Sequence, residues 1–408
     1  MIPVPAATPY RDLDRRIWVL AFARAVNTMG LSLVMAFMAL YFVSERGLSG
    51  TATGAIYLGA NVLQAFSQGW AGAFSDRAGR RVTMVVALAL RAVLVTVLGA
   101  LVSADAPVWA VSAALYASWI VRGAFEPVAY AAVADVCAPR DRVAAFGLQK
   151  IGVNLGWALG PAIGGLLLRY WSYGSVFFVS APIILVAAIA VARIREPERK
   201  APAPRLSLRE ALAAFRWQPV MAVFLACALL AGLMHGQLFS TFSLYVKEGM
   251  GLDEGVIGLL WAINAVCVVA LQMPAVALIG WIGTRGALVL APILYAASFA
   301  LVGAAGGFAV LAAAIVVLSV GEVVFEPAQQ TAAAELADPD QMGKAMGLLG
   351  QMKMLGLALS LLVGGLAFDA FTGRPLSMWG ALATIPIAAA VGFAAFGAMT
   401  RKRGETPC

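Results

Sequence analysis

The chain has 408 residues, of which 62% are hydrophobic and 12% charged, with a formal net charge of +8 and a mean hydropathy of +0.87. A soluble domain is closer to half apolar and a quarter charged, so the composition excludes soluble enzymes and binding modules and indicates a polytopic membrane protein. The basic excess falls in alternate loops, where it reads as a topology signal, and no nucleic-acid partner is expected.

A lone strand cannot satisfy its backbone in lipid, and the short alternating segments of a β-barrel are absent, so every span should be helical. At about 20 apolar residues per span, the length allows about twelve. The apolar run that begins at Ile17 is too long for a signal-peptide core and is read as a retained first helix. Helices are expected at roughly 17–43, 52–75, 82–104, 108–136, 143–169, 174–193, 218–246, 255–281, 286–306, 308–334, 342–369 and 376–400. The long connection is rich in Arg, Lys and Pro. It divides the chain into an N-terminal six-helix bundle (1–193), a linker (194–217) and a C-terminal six-helix bundle (218–408). The distribution of Lys and Arg places both termini and the linker in the cytoplasm. Cys137, Cys227, Cys267 and Cys408 are scattered with no CxxC, so no disulfide, metal or cofactor is expected.

The two halves repeat one another. Without any gap, Phe125, Glu126 and Pro127 fall on Phe325, Glu326 and Pro327, Asp135 falls on Glu335, and Gly156, Gly164 and Gly165 fall on Gly356, Gly364 and Gly365. Six spans separate the copies, so both have one orientation, which makes a parallel repeat of six-helix units.

Between the second and third helices stands GAFSDRAGRR, with Gly72, Asp76, Arg77, Gly79, Arg80 and Arg81. Small residues permit a tight turn, and the charged groups can contact neighbouring helix ends. In the fifth helix, GLQKIGVNLGWALGPAIGG carries Gly147, Gly156, Gly160, Pro161, Gly164 and Gly165. Glycines four apart make a flat face for another helix. Together these patterns resemble the major facilitator superfamily over nearly the whole chain, and are most similar to its twelve-span drug:proton antiporters. The resemblance implies an all-α membrane fold of two six-helix bundles. It also implies that Asp76 faces the start of helix 11 and that the arginines reach Asp135, a latch between the halves. The second-half loop keeps Arg285 but has Thr284 where an acid would stand, so the latch should be one-sided. The glycine motif resembles the one that marks antiporters in this superfamily.

Ionisable residues inside spans are costly and face a cavity or one another. Glu126 and Glu326 each lie nine residues before an acidic helix end, Asp135 or Glu335, so about 13 Å deep. Arg24 and Arg91 lie at similar depth, and Arg122, Glu322 and Lys353 lie near the midplane. The resemblance puts helices 1, 4, 7 and 10 around a central cavity, and these carry Arg24, Arg122, Glu126, His235, Glu322 and Glu326. On helix 4, Arg122 and Glu126 stand at i, i+4 and can neutralise each other, with Arg24 as the alternative partner of Glu126, and Lys353 or Arg24 could neutralise Glu322 and Glu326. On helix 10, Glu322 and Glu326 have the same spacing. Two carboxylates one turn apart in a low dielectric do not readily both ionise, which suits the pair to proton coupling, with Glu126 as a further candidate. Arg91 reads as structural, on a peripheral helix. Asn27, Asn61, Gln64, Gln68, Gln237, Asn264, Gln329 and Gln330 are expected polar lining, with His235 as a neutral wall residue.

The functional expectation is a proton-driven exporter of amphipathic small molecules in a bacterial inner membrane. Its partners are substrate, protons and lipid, and a monomer is expected. A lipid or lysolipid flippase, or a sugar or metabolite efflux carrier, is the alternative within the fold. An intramembrane enzyme or a sensor is disfavoured, because no nucleophile constellation, metal site or output domain is visible.

Overall fold

A computed structural model describes residues 11, 13–137, 141–195, 219–336 and 342–404. Among the described residues the chain forms twelve long helices. In the first half these are α1 (Arg15–Leu40), α2 (Gly50–Ala78), α3 (Arg80–Ser103), α4 (Val108–Val136), α5 (Arg142–Tyr170) and α6 (Tyr173–Ala192). In the second half α7 is Pro219–Gly236. The helix Glu254–Gly303 breaks at Gly283, where φ is 75°, a left-handed conformation that glycine adopts without a steric penalty. It therefore counts as α8 (254–282) and α9 (284–303). Then come α10 (Phe308–Leu336), α11 (Met342–Ala370) and α12 (Pro375–Gly404). The protein is an all-α membrane protein of two parallel-repeat six-helix bundles.

The helix positions depart from expectation at few places. One glycine, rather than a loop of several residues, separates α8 from α9. The first and seventh spans end in π-helical turns, at Tyr41–Glu45 and at Leu238–Phe242 and Tyr245–Gly249. α4, α5 and α10 continue through Pro127, Pro161 and Pro327. The linker 194–217 lies outside the described residues beyond Arg195.

The helices are greasy on the outside and carry their polar groups within. α3 exposes Val82, Val86, Leu90, Val93 and Val97, while Thr83, Leu88, Arg91 and Val95 are buried. Trp70, Met273 and Trp281 are also strongly exposed. This reverses the amphipathicity of a soluble helix and fits a surface solvated by lipid tails.

Two compact units are formed. In the first, α1 packs on α5 and α6, and α3 packs on α4 and α6. In the second, α7 packs on α11 and α12, the same arrangement one repeat later. The glycines explain the closest of these contacts. A Cβ on Gly156 would stand 2.5 Å from the Ala25 carbonyl oxygen, and one on Gly160 would stand 2.7 Å from the Leu33 nitrogen. Gly152, also four residues away and not singled out from the sequence, presses on Ala21 in the same way. Ser32 on α1 then donates to the Gly156 carbonyl oxygen at 2.9 Å. In the second unit, Gly356 meets Leu229 and Gly364 meets Thr241, again across the equivalent helix pair.

Each unit also takes a short segment from the other half of the chain. Residues Ile257–Leu259 belong to the first unit, where Gly258 abuts Gly165. Residues Phe42–Leu58 belong to the second, where Gly50 abuts Gly365 and Gly54 abuts Leu361. There Asp369, at the end of α11, accepts from the backbone nitrogens of Gly50 and Thr51 at 2.8 Å each and from the Thr51 hydroxyl at 2.6 Å. The carboxylate thereby satisfies two of the orphan donors at the start of α2.

Candidate functional site

In the first unit, three guanidinium groups converge on one carboxylate. Arg24 of α1 is 3% exposed, lies over the Tyr130 ring with its guanidinium carbon 4.1 Å from the centroid, and donates to Glu126 of α4 at 2.7 Å. Arg91 of α3, also 3% exposed, donates to the side-chain oxygen of Asn27 on α1 at 2.6 Å. Arg122 of α4 donates to Gln64 of α2 at 2.9 Å. Arg91 and Arg122 are close enough to repel one another, and Glu126 attracts both.

The helical pair expected between Arg122 and Glu126 is not formed. Gln64 holds the arginine, and Arg24, braced against Tyr130, reaches the carboxylate from the facing helix. The contact across helices therefore replaces the one along the helix. Arg91, expected to be structural on a peripheral helix, points inward and joins the cluster through Asn27. Tyr130 carries no charge inside the span and had no sequence signal.

The second unit arranges its charges differently. Lys353 of α11 pairs with Glu326. Glu322, one turn away and half-buried, accepts from the Asn264 amide at 3.2 Å and has no cation partner among the described residues. The same Asn264 amide donates to Ser319 at 2.9 Å, which fixes its orientation. His235 Nδ1 lies 3.0 Å from the Tyr295 hydroxyl, with Phe239 edge-on to the imidazole. Glu322 and Glu326 both bear electrostatically on Tyr295, so the two acids, Tyr295 and His235 form one cluster. Gln237, expected as lining, is fully buried. Its amide nitrogen donates to Leu233 and Ser360 and its oxygen accepts from Thr241, so it fastens α7 to α11. Gln329 is 1% exposed with no partner for either amide atom among the described residues, and Gln330 is exposed.

The two copies of Phe-Glu-Pro thus share a plan. Phe125 and Phe325 are buried at 2% and 4%, and each following glutamate pairs with a base from a neighbouring helix, α1 in one unit and α11 in the other.

At the end of α2, Arg80 bonds Asp76 at 2.7 Å and Asp135 at 3.2 Å, while Arg77 and Arg81 are exposed. The contact expected between Asp76 and the start of helix 11 lies outside the described residues. In the second unit, Arg285 and Glu335 line one cavity of about 220 Å³ but form no ion pair.

The family model described as Major Facilitator Superfamily matches residues 20–256 and 224–407. The chain belongs to the Major Facilitator Superfamily. This major facilitator is 24% identical over 387 residues to the uncharacterized MFS-type transporter YqjV of Bacillus subtilis, covering 93% of the chain and 92% of the relative. It is 27% identical over 377 residues to multidrug resistance protein MdtH of Photorhabdus laumondii, covering 88% of each. The crystal structure of the nucleoside transporter NupG superposes with a TM-score of 0.73 at 14% identity, covering 93% of the chain and 98% of the neighbour. That likeness establishes the fold. As a major facilitator, the protein is an integral membrane transporter of small molecules.

Proposed function

We propose that the protein is a proton-coupled antiporter that exports amphipathic small molecules across a bacterial inner membrane, working as a monomer with both termini cytoplasmic. The observation that carries the reading is Glu322. It is a half-buried carboxylate whose hydrogen-bonding partner is an amide and which no cation neutralises among the described residues. Ionisable residues inside spans mark ion and proton pathways, and a carboxylate that no base neutralises is the candidate carrier here. Glu326 has its charge balanced by Lys353 and Glu126 by Arg24, so these two serve as fixed counter-charges rather than carriers. Alternating exposure then follows from rocking of the repeated units, with protonation and cargo release as the coupled events. Export rather than import draws on the glycine motif of α5 and on the multidrug names of relatives such as MdtH.

Reconstitution with an internal pH dye tests this. Amphipathic compounds of either charge are screened, and at least one should drive proton movement in the wild type. Glu322→Gln should abolish coupling while substrate exchange persists, and Glu126→Gln should retain proton movement. Normal coupling in Glu322→Gln would remove the proton from α10.

A further inference from the structure

The buried charges of the first unit do not balance. Between the helix ends, α1 to α6 bury or half-bury three arginines, Arg24, Arg91 and Arg122, against one carboxylate, Glu126, which leaves a net charge of +2 (3 − 1). Guanidinium groups do not lose their proton at any physiological pH, so the imbalance persists. Glu126 is taken up directly by Arg24. Arg91 and Arg122 have neutral amides, Asn27 and Gln64, as hydrogen-bonding partners and no ion pair among the described residues. The Arg91 Nε and the Arg24 Nε are buried without a hydrogen-bond partner among the described residues. Unpaired buried charge is costly, so a fold that needed these side chains only for packing would do better with apolar ones of similar size.

We infer that Arg122, backed by Arg91, is the binding site for the anionic group, carboxylate or phosphate, of the transported cargo. The arrangement suits that role. Arg122 and Glu126 are partly exposed, while Arg24 and Arg91 are buried. Gln64 holds one Nη of Arg122, leaving the rest of the planar fork to take two oxygens of an anion. The Trp119 ring centroid lies 5.7 Å from the Arg122 guanidinium carbon, a cation–π contact. Glu126 acts against the anion, so that binding is strong enough to select and weak enough to release. The inference rests on the transport reading for the identity of the anion as cargo, and it gives the amphipathic substrate a negative head.

Binding to the purified full-length protein in phosphatidylcholine nanodiscs tests the site independently of transport. The probes are 1-naphthylacetate and 1-naphthyl phosphate, with the methyl ester of the first and 1-naphthylmethylamine as uncharged and cationic controls, read by calorimetry. Either anion should bind roughly tenfold or more tightly than the ester or the amine, the weight of a charge-assisted hydrogen bond. Arg122→Gln should erase that margin and leave ester binding unchanged. Glu126→Gln should tighten anion binding, a gain that misfolding cannot imitate. If neither anion outbinds the ester, or neither substitution moves the anion constants, the site is disproved. A headgroup source would show as Arg122-dependent competition when phosphatidylglycerol replaces phosphatidylcholine, which keeps the anion site and changes its ligand to lipid. Arg122-dependent anion binding without any proton movement in liposomes would sink the antiport reading and keep the site. Proton-coupled export of the amine without anion binding would do the reverse.

Discussion

Arg91 shows how much depends on one neutral side chain. Its guanidinium is buried in α3 and hydrogen-bonds to Asn27 of α1. Asn27→Leu removes the acceptor while the charge stays buried, and a hydrogen bond to a charged group is worth about 1.5–3 kcal/mol. Thermal unfolding of the detergent-solubilised protein should shift down by several degrees. Adding Arg91→Met should recover part of the loss, because the stranded charge goes with it. A double variant no better than Asn27→Leu alone would show that the asparagine matters for another reason. At this scale the sequence was only partly legible. It revealed which ionisable residues sit at membrane depth, because charge stands out in an apolar run. It narrowed their pairing without deciding it, offering Arg122 or Arg24 for Glu126 and Lys353 or Arg24 for the acids of α10. The i, i+4 rule favours Arg122 with Glu126, and only the facing helix, with Tyr130 as a brace, brings Arg24 to the carboxylate first.

Helices were the most legible elements, since a span of lipid-soluble residues leaves the backbone no alternative. Their ends were less so. The π-helical turns after α1 and α7 and the single-residue break at Gly283 have no hydropathy signature. The glycine face of α5 was legible as a flat strip but not as to its partner, which proves to be α1. That partner sets a contrast between two glycines. Gly156→Ala would place a methyl 2.5 Å from the Ala25 carbonyl oxygen and 2.8 Å from the Met29 nitrogen, both backbone atoms that cannot swing aside. The helices must separate, at a cost of about 1–3 kcal/mol for overpacking. A Cβ at Gly350 of α11 meets nothing within 4 Å. Gly350→Ala should therefore be neutral or should stabilise by up to about 1 kcal/mol, the helix-propensity gain. Denaturation midpoints in a single detergent would compare the pair. Equal losses in both variants would mean that the close approach of α1 and α5 carries no energetic weight.

For the whole molecule, the repeat explains more than the order of the helices. Gly165 and Gly365 are repeat partners, and each is the glycine against which a segment from the other half of the chain is seated, Gly258 in one unit and Gly50 in the other. The first loop aligns at an offset of 204 rather than 200, which pairs Gly54 with Gly258. The seated glycines, Gly258 and Gly50, are therefore one helical turn out of register between the copies, so the two seats are related but not identical, and Asp369 strengthens one of them. Its carboxylate collects three hydrogen bonds from Gly50 and Thr51. The rocking proposed above requires 42–58 to leave this seat. Asp369→Ala should weaken the seat while leaving Gly365 in place. Gly365→Leu should block it, since a Cβ there would run into the Gly50 carbonyl oxygen. A cysteine introduced at Thr53, which is 5% exposed in the seated state, reports the result. Its maleimide labelling rate in detergent should rise modestly with Asp369→Ala and by roughly tenfold or more with Gly365→Leu, since about 1.4 kcal/mol against the seated state is a tenfold change in its population. Transport should fall in Gly365→Leu, because a transporter that cannot close one seat cannot complete its cycle. Labelling that stays at the wild-type rate in both variants would mean that the seat is not the moving contact, and the hinge would have to be sought elsewhere in the repeated units.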